Sequence, residues 1–300
     1  MVSGKSCLIF LYSHSGSQQD RENHKVAKPF RMGTWQAMAY GVLAGTAARH
    51  PEEDSTVIPP RRCILGVFAH PDDETSCAGG TFCRYAREGV DIYVVTATRG
   101  ERGARGTHGQ VVTQEDLPRV REAELRTVLQ LYGAQPPILL GYRDQEVARV
   151  NLGELVARVA AAMTALTPDV VITFGPMGLS GHPDHVAVHR ATVAAFHLYR
   201  QATAAAPRLY YKALLPAALQ ALGLTLTGPE VEPTVLIDIA AQKALKVRAL
   251  RTYTTQEDAQ RLAGLVEQAP WAVEAFHQAY PPASTRVLAT GFWEEAHVGF

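Results

Sequence analysis

The strongest constraint on this chain is an apolar run that breaks off in charge: Ile64-Leu65-Gly66-Val67-Phe68-Ala69-His70-Pro71-Asp72-Asp73-Glu74. Bulky aliphatics in a row read as a buried strand. The histidine, proline and acids that follow read as a strand-to-helix turn. In an open α/β sheet, ligands sit beyond the carboxyl ends of the strands. A histidine and two aspartates therefore stand where chemistry is usually done. A second cluster, Gly181-His182-Pro183-Asp184-His185, also follows an apolar strand and has the same grammar. The two clusters are expected to meet around one metal ion.

The rest of the chain supplies a scaffold for such a meeting. Strands are predicted over 63–69, 90–97, 137–140, 169–174, 208–214 and 234–237. Helices are predicted over 74–87, 117–132, 152–166, 183–199, 240–250 and 258–268. This alternation argues for an α/β, three-layer Rossmann-like fold with a mostly parallel central sheet. Ala78-Gly79-Gly80 would allow close packing of the first helix on the sheet. The loop 98–115 has four glycines and three arginines, a length that marks function or mobility. Residues 1–60 read as an N-terminal extension: a disordered tail to residue 31, with Met32 an alternative start, then a short helix over 34–49 and a linker. Residues 61–300 read as the functional domain, with no assignment for the aromatic tail 285–300.

Composition excludes several classes. Apolar residues make up 47% and charged residues 19% of the 300, which is a globular balance. Lys+Arg and Asp+Glu are both 29, so there is no electrostatic footprint of a nucleic-acid binder. No apolar run approaches the ~18 residues needed to span a bilayer. The four cysteines form no C-x-x-C pair and suit a reducing compartment. A soluble, cytoplasmic protein without nucleic-acid or membrane partners is expected.

The chemistry follows from donor types. His70 and Asp73, three residues apart across a tight turn, can bind one cation together. His185 adds a second nitrogen, and two nitrogens with one oxygen leave a position open, as in a catalytic Zn²⁺ site. Fe²⁺ or Co²⁺ would accept the same donors. Asp72 is left over beside the ion as a candidate base for an acidified water. Each residue alone has a plainer reading. Asp72, Asp73 or His182 could cap a helix, and Asp184 could favour a helix dipole. Two His-Pro-Asp clusters at two strand ends are harder to explain by capping. His189, one turn past His185, suits a supporting histidine better than a fourth ligand. Arg99, Arg102 and Arg105 either meet an acidic substituent of a substrate or face water. Neither G-x-G-x-x-G nor G-x-S-x-G occurs where it would point to a dinucleotide or a serine hydrolase.

Ala69–Glu74 together with Gly181–His185 resembles the LmbE/PIG-L family of zinc-dependent N-deacetylases, which includes the mycothiol, bacillithiol and GlcNAc-phosphatidylinositol deacetylases. The resemblance covers about residues 62–256. It takes in Thr98-Arg99-Gly100-Glu101, Arg121…Glu124, Gly141-Tyr142-Arg143-Asp144 and Leu250…Thr255-Gln256. It implies His70, Asp73 and His185 as zinc ligands and Asp72 as general base. It implies a protonated His182 that stabilises the tetrahedral intermediate, with Asp184 orienting it. The implied partner is a small N-acyl substrate, an N-acetylated amino sugar or its glycoside, and a homo-oligomer is compatible with the family. Some sugar-amide deacetylases of the family carry a tyrosine just before Gly-His-Pro-Asp-His. Here that residue is Ser180, so the substrate need not be theirs. An amidase on a thiol conjugate, or a non-catalytic sugar- or partner-binding domain, is the alternative.

Overall fold

The computed structural model describes residues 61–107, 111–283 and 288–293. The expected extension 1–60, His108 and most of the tail 285–300 lie outside the described residues. The elements run β1 (Cys63–Phe68), α1 (Asp73–Arg87), β2 (Asp91–Thr96), α2 (Leu117–Tyr132), β3 (Ile138–Leu139), α3 (Leu152–Leu166) and β4 (Val170–Thr173). They continue with α4 (Gly178–Gly181, a single turn), α5 (Pro183–Ala202), β5 (Arg208–Ala213), α6 (Pro216–Leu222), β6 (Val235–Asp238), α7 (Lys243–Thr252), α8 (Glu257–Gln268) and β7 (Val273–Tyr280).

The seven strands form one sheet in the order β3-β2-β1-β4-β5-β7-β6. Pairings among β3, β2, β1, β4 and β5 are parallel; β7 runs antiparallel to both β5 and β6. From β1 the chain moves through β2 to β3 on one side, then returns to β4 on the other. Right-handed crossovers in opposite directions put α1 and α2 on one face, α3 and α5 on the other. Ile64–Phe68 and Val170–Ile172 are almost wholly buried, as strands covered on both faces should be. Between β1 and β4 the strand order reverses, and a crevice opens beyond their carboxyl ends. The register Gly66↔Ile172 sets Phe68 level with Phe174, and their rings meet edge to face at 5.5 Å. The residues just past each end are thereby brought side by side.

Three elements escaped the sequence reading. α4 is a single turn in a stretch that reads as a glycine-rich loop. α6 is short, with no buried residue. β7 buries Glu274, Ala275 and Phe276 in succession, so it lacks the alternation that marks a half-exposed strand. Its buried glutamate has a structural reason. α1 is broken at Ala78 (φ −146°, ψ 15°), which leaves amide groups of its second half without helical partners. Glu274 accepts from the N–H of Gly80 (3.0 Å), the N–H of Thr81 (2.8 Å) and the Thr81 hydroxyl. Lys246 Nζ, 2.5 Å away, balances its charge. Glu274→Ala strands a buried ammonium and three donors, and should destabilise the fold by about 3–5 kcal/mol. Urea unfolding measures this, and a change below about 1 kcal/mol would remove the capping role.

The two glycines that follow this break also pack differently from expectation. A Cβ on Gly79 would meet the Tyr132 hydroxyl, and one on Gly80 would meet Ile239. The close approach is therefore to α2 and to the residue after β6, rather than to the sheet.

Candidate metal centre and its cavity

β1 ends at Phe68, and the next turn is locked by reciprocal bonds. The His70 N–H donates to Asp73 Oδ2 at 2.7 Å, and the Asp73 N–H donates to the His70 carbonyl at 3.3 Å. The lock forces Asp72 to φ 102°, a conformation costly for most residues but tolerated best by Asn and Asp. His70 and Asp73 consequently face one way, and α1 starts at once. After β4, buried Glu230 accepts from the N–H groups of Met177 (2.9 Å) and Leu179 (2.8 Å) and pins the loop there. Gly178 (φ 63°) lies so close to His185 that a Cβ would stand 2.8 Å from that of the histidine. His182 then caps α5: its Nδ1 accepts the Asp184 N–H at 3.1 Å, with Pro183 in the first turn.

These two turns converge. His70 Nδ1 lies 3.2 Å from His185 Nε2 and 3.4 Å from Asp73 Oδ2, and His185 Nε2 lies 3.4 Å from Asp73 Oδ1. The outer ring nitrogens are already engaged. His185 Nδ1 donates to the Gly178 carbonyl at 3.0 Å, and His70 Nε2 faces the Asp144 carboxylate at 3.0 Å. Two ring nitrogens and a carboxylate thus point at one spot, where either a proton or a cation must sit. For metal–ligand bonds of zinc length, the edge of a tetrahedron is about 3.3–3.5 Å. The two ring nitrogens, 3.2 Å apart, come close to it, and each has one or other Asp73 oxygen at 3.4 Å, so the donor types and spacing suit a divalent ion of that size. His182 also contributes a ring nitrogen within 4.8 Å of those of His70 and His185.

A second acidic grouping surrounds the back of His70, formed by Asp144 and Asp184. Its oxygens are largely spent: Asp184 accepts the N–H of Gln145 at 2.7 Å and of Ala148 at 3.3 Å, and Asp144 accepts the N–H of Arg102 at 3.0 Å. Carboxylates so placed orient an imidazole and fix its tautomer. Burial opposes charge on His70, yet Asp144, Asp184 and Asp73 together hold its pKa well above the ordinary histidine value. Burial likewise opposes charge on Asp73, but His185 and His70 outweigh it and hold that carboxyl well below the usual range.

Asp184 therefore corrects an expectation. Its carboxylate reaches His70 Nε2 (3.4 Å) and backbone amides, while its bond to His182 runs only through its own N–H. With Nδ1 of His182 occupied as an acceptor, the proton of the neutral ring belongs on Nε2. Burial, with the nearby His70 and His185, lowers the His182 pKa. In this arrangement Nε2 is the atom of His182 left to donate. Asp144 is the residue that sequence reasoning missed; it was visible only as part of Gly141-Tyr142-Arg143-Asp144.

Asp72 faces the same cavity, with a fifth of its side chain exposed. Burial pushes its carboxyl up to about 8, against the pull of Arg121. Arg121 Nη2 bonds Asp72 Oδ2 at 3.1 Å and also the Pro71 carbonyl, while Nη1 bonds the Gly100 carbonyl at 3.0 Å. Gly100 (φ 65°) has no room for a side chain beside that guanidinium. The long loop is tied down further by Gln256, which donates to the Ala104 carbonyl at 2.8 Å. Glu124 holds the segment bearing Gln256 by accepting from Thr254 and Thr255.

The cavity has a volume of about 610 Å³. The histidine cluster forms one part of its wall, and Leu215, Leu222, Leu262 and Trp271 line another. Ser180 lines it too. His189 is outside the donor cluster and bonds the Phe174 carbonyl at 2.8 Å, a supporting position. Cys77 also lines the cavity, and burial raises its thiol well above the ordinary range, which keeps it protonated. Among the described residues, no helix is long and apolar enough to cross a membrane.

Comparison with known proteins agrees with this arrangement. The family described as GlcNAc-PI de-N-acetylase, PIG-L, matches residues 65–196. The 1D-myo-inositol 2-acetamido-2-deoxy-alpha-D-glucopyranoside deacetylase of Mycobacteroides abscessus is 33% identical over 231 residues, covering 65% of this chain and 81% of that protein. The fold matches the N,N'-diacetylchitobiose deacetylase of Pyrococcus horikoshii, 19% identical, with a TM-score of 0.57 over 73% of this chain and 84% of that one. It matches equally a 4-carboxy-2-hydroxymuconate hydratase of Pseudomonas putida KT2440, 18% identical, with a TM-score of 0.60 over 75% and 98%. The architecture therefore does not decide the chemistry. The sequence relationship is what assigns the chain: it belongs to the PIG-L, or LmbE-like, family.

Proposed function

We propose that the protein is a metal-dependent hydrolase that removes an acetyl group from the nitrogen of an N-acetylglucosamine-type small molecule. One observation carries the reading: His70 Nδ1, Asp73 and His185 Nε2 converge at 3.2–3.4 Å in the cavity that the Asp72 carboxylate, held at one oxygen by Arg121, also lines. His70, Asp73 and His185 would hold the ion, with Zn²⁺ the first choice and Fe²⁺ or Co²⁺ compatible with the same donors. When bound, it supplies positive charge that acidifies water and polarises an amide carbonyl.

The chain's own groups do the rest. Asp72 takes the proton from the attacking water as general base, and as the C–N bond breaks the departing amine receives a proton from Asp72 or from His182. Arg121 holds that carboxylate by one oxygen and leaves the other to the cavity. His182 offers its Nε2 proton to the oxyanion that forms at the acyl carbon, a fixed donor aimed where charge develops. Asp144 and Asp184 keep His70 turned with its inner nitrogen toward the ion. In some relatives a tyrosine precedes the second motif; here Ser180 is shorter, so His182 carries more of the oxyanion contact.

The reading is tested by metal analysis of the pure protein together with acetate release from a panel of N-acetylated amino sugars and their glycosides. One equivalent of metal with release from a member of the panel is expected. Metal without release from any of them would favour a binding domain of the same fold. A narrower expectation concerns Asp144. Its replacement by asparagine should weaken metal affinity by about 10–100-fold, since such partners orient the ligand histidine. Competition with a chromophoric chelator measures it, and unchanged affinity would separate Asp144 from the metal.

A further inference from the structure

The cavity wall carries a positive charge that the catalytic scheme leaves unused. Lys212 is the penultimate residue of β5 and is only 5% exposed. The register Thr173↔Tyr211 sets it level with Phe174, whose ring lies flat on His185 at 4.1 Å. Lys212 therefore stands at the same open end of the sheet as the histidine cluster, and it lines the same cavity.

Its ammonium group is poorly satisfied. Three donors are available on Nζ. The Ala275 carbonyl accepts from it at 3.3 Å, and the ring of Phe276 lies 5.0 Å away. The carboxylate nearby, Glu274, is already consumed by Lys246, by the amides of Gly80 and Thr81, and by the Thr81 hydroxyl. Two buried lysines share one buried glutamate, so among the described residues one positive charge has no counterion of its own. Burial lowers the Lys212 pKa to about 8, with Lys246 adding to the effect and Glu274 opposing it. A buried ammonium is costly unless paired, and the one open side here is the cavity.

Of the three arginines that the sequence offered for an acidic substituent, two are otherwise engaged and Arg105 is exposed and outside the cavity lining. Arg99 pairs with Glu122 at 2.6 Å and Arg102 with Glu146 at 2.5 Å. Arg261, on the rim, stands 3.7 Å from Asp258 and is largely exposed.

We propose that Lys212 Nζ is a subsite for an acidic group, a carboxylate or a phosphate, carried by the ligand whose amide meets the histidine cluster. The proposal rests on the deacetylase reading for the identity of the amide end. The acid end stands on Lys212 itself. An ammonium is a point charge, so it serves either acid.

Calorimetric titration of glucosamine, glucosamine 6-phosphate and muramic acid into the purified full-length protein tests it. Each acidic probe whose acid reaches Lys212 should bind at least about tenfold more tightly than glucosamine, the typical worth of a hydrogen bond to a charged group. The phosphate and carboxylate arms tell which acid is taken. Lys212→Met should erase the preference and Lys212→Arg should retain most of it. Lys212→Gln serves the same purpose as Lys212→Met if the latter fails to fold. Equal binding of all three probes by the wild type, or a preference that survives in the uncharged variant, would overturn the proposal. Acetate release from the N-acetylated forms is followed in parallel. Absence of release with the binding preference intact would sink the deacetylase reading alone; release without any preference would sink only the role of Lys212.

Discussion

Asp72→Asn should lower kcat by about 10²–10⁴-fold while the protein still binds its full complement of metal. The substitution is chosen for its geometry. Asparagine is isosteric with aspartate and tolerates the φ of 102° that the turn imposes, so the backbone need not move. Arg121 keeps its bonds to the Pro71 and Gly100 carbonyls. What disappears is the group that can accept a proton. Steady-state assays and metal content on the same preparation separate the two effects. Normal turnover in the variant would remove Asp72 as the base.

The pH profile carries the same assignment. A base works in its ionised form, so kcat/KM should rise with pH through the Asp72 pKa and then level off. Burial sets that pKa at about 8 before any ion is present, and a cation a few ångströms away draws it down. The acid limb should therefore fall below about 8 yet above the ordinary carboxylate range. It should vanish from the residual activity of Asp72→Asn. A limb in the ordinary carboxylate range would mean that the burial of Asp72 has no bearing on the reaction.

How much of this was readable from residues alone depends on where each partner lies along the chain. β1, α2, α3 and α5 stand where periodicity and end signals put them, because a strand buried on both faces and a helix with one apolar stripe announce themselves locally. The meeting of the two His-Pro-Asp turns was legible because both sit at strand ends, and strand ends of a parallel sheet face one crevice. β7 was not legible. Its buried Glu274 is required by a break in α1 at Ala78, and no local pattern encodes a need created elsewhere in the chain. Asp184 misled for the opposite reason. Its neighbour in sequence is His182, yet its carboxylate belongs to His70, because the first turn of α5 uses the Asp184 amide for the cap and frees the carboxylate to point across the crevice. Asp144 was hidden likewise, its partner lying on a different strand end.

Asp73→Ala should abolish stable metal binding and, with it, the stabilisation that metal confers. Asp73 is one of three donors at 3.2–3.4 Å, and its carboxylate also closes the turn by accepting the His70 N–H. Removing it leaves only imidazoles, those of His70, His185 and the more distant His182, and an unlocked loop. Because a ligand that binds only the folded state stabilises it by mass action, zinc at one hundred times its Kd is worth about 2.7 kcal/mol. For a domain of this size that corresponds to a rise in Tm of roughly 5–10 °C. The wild type should show the rise in a thermal melt with added Zn²⁺, and Asp73→Ala should show none. His189→Gln is the matched control, since His189 bonds the Phe174 carbonyl and lies outside the donor cluster. If Asp73→Ala keeps one metal per chain and a full rise in Tm, Asp73 is not a ligand, and the ion is held by another set around His70, either His182 with His185 or Asp144 with Asp184.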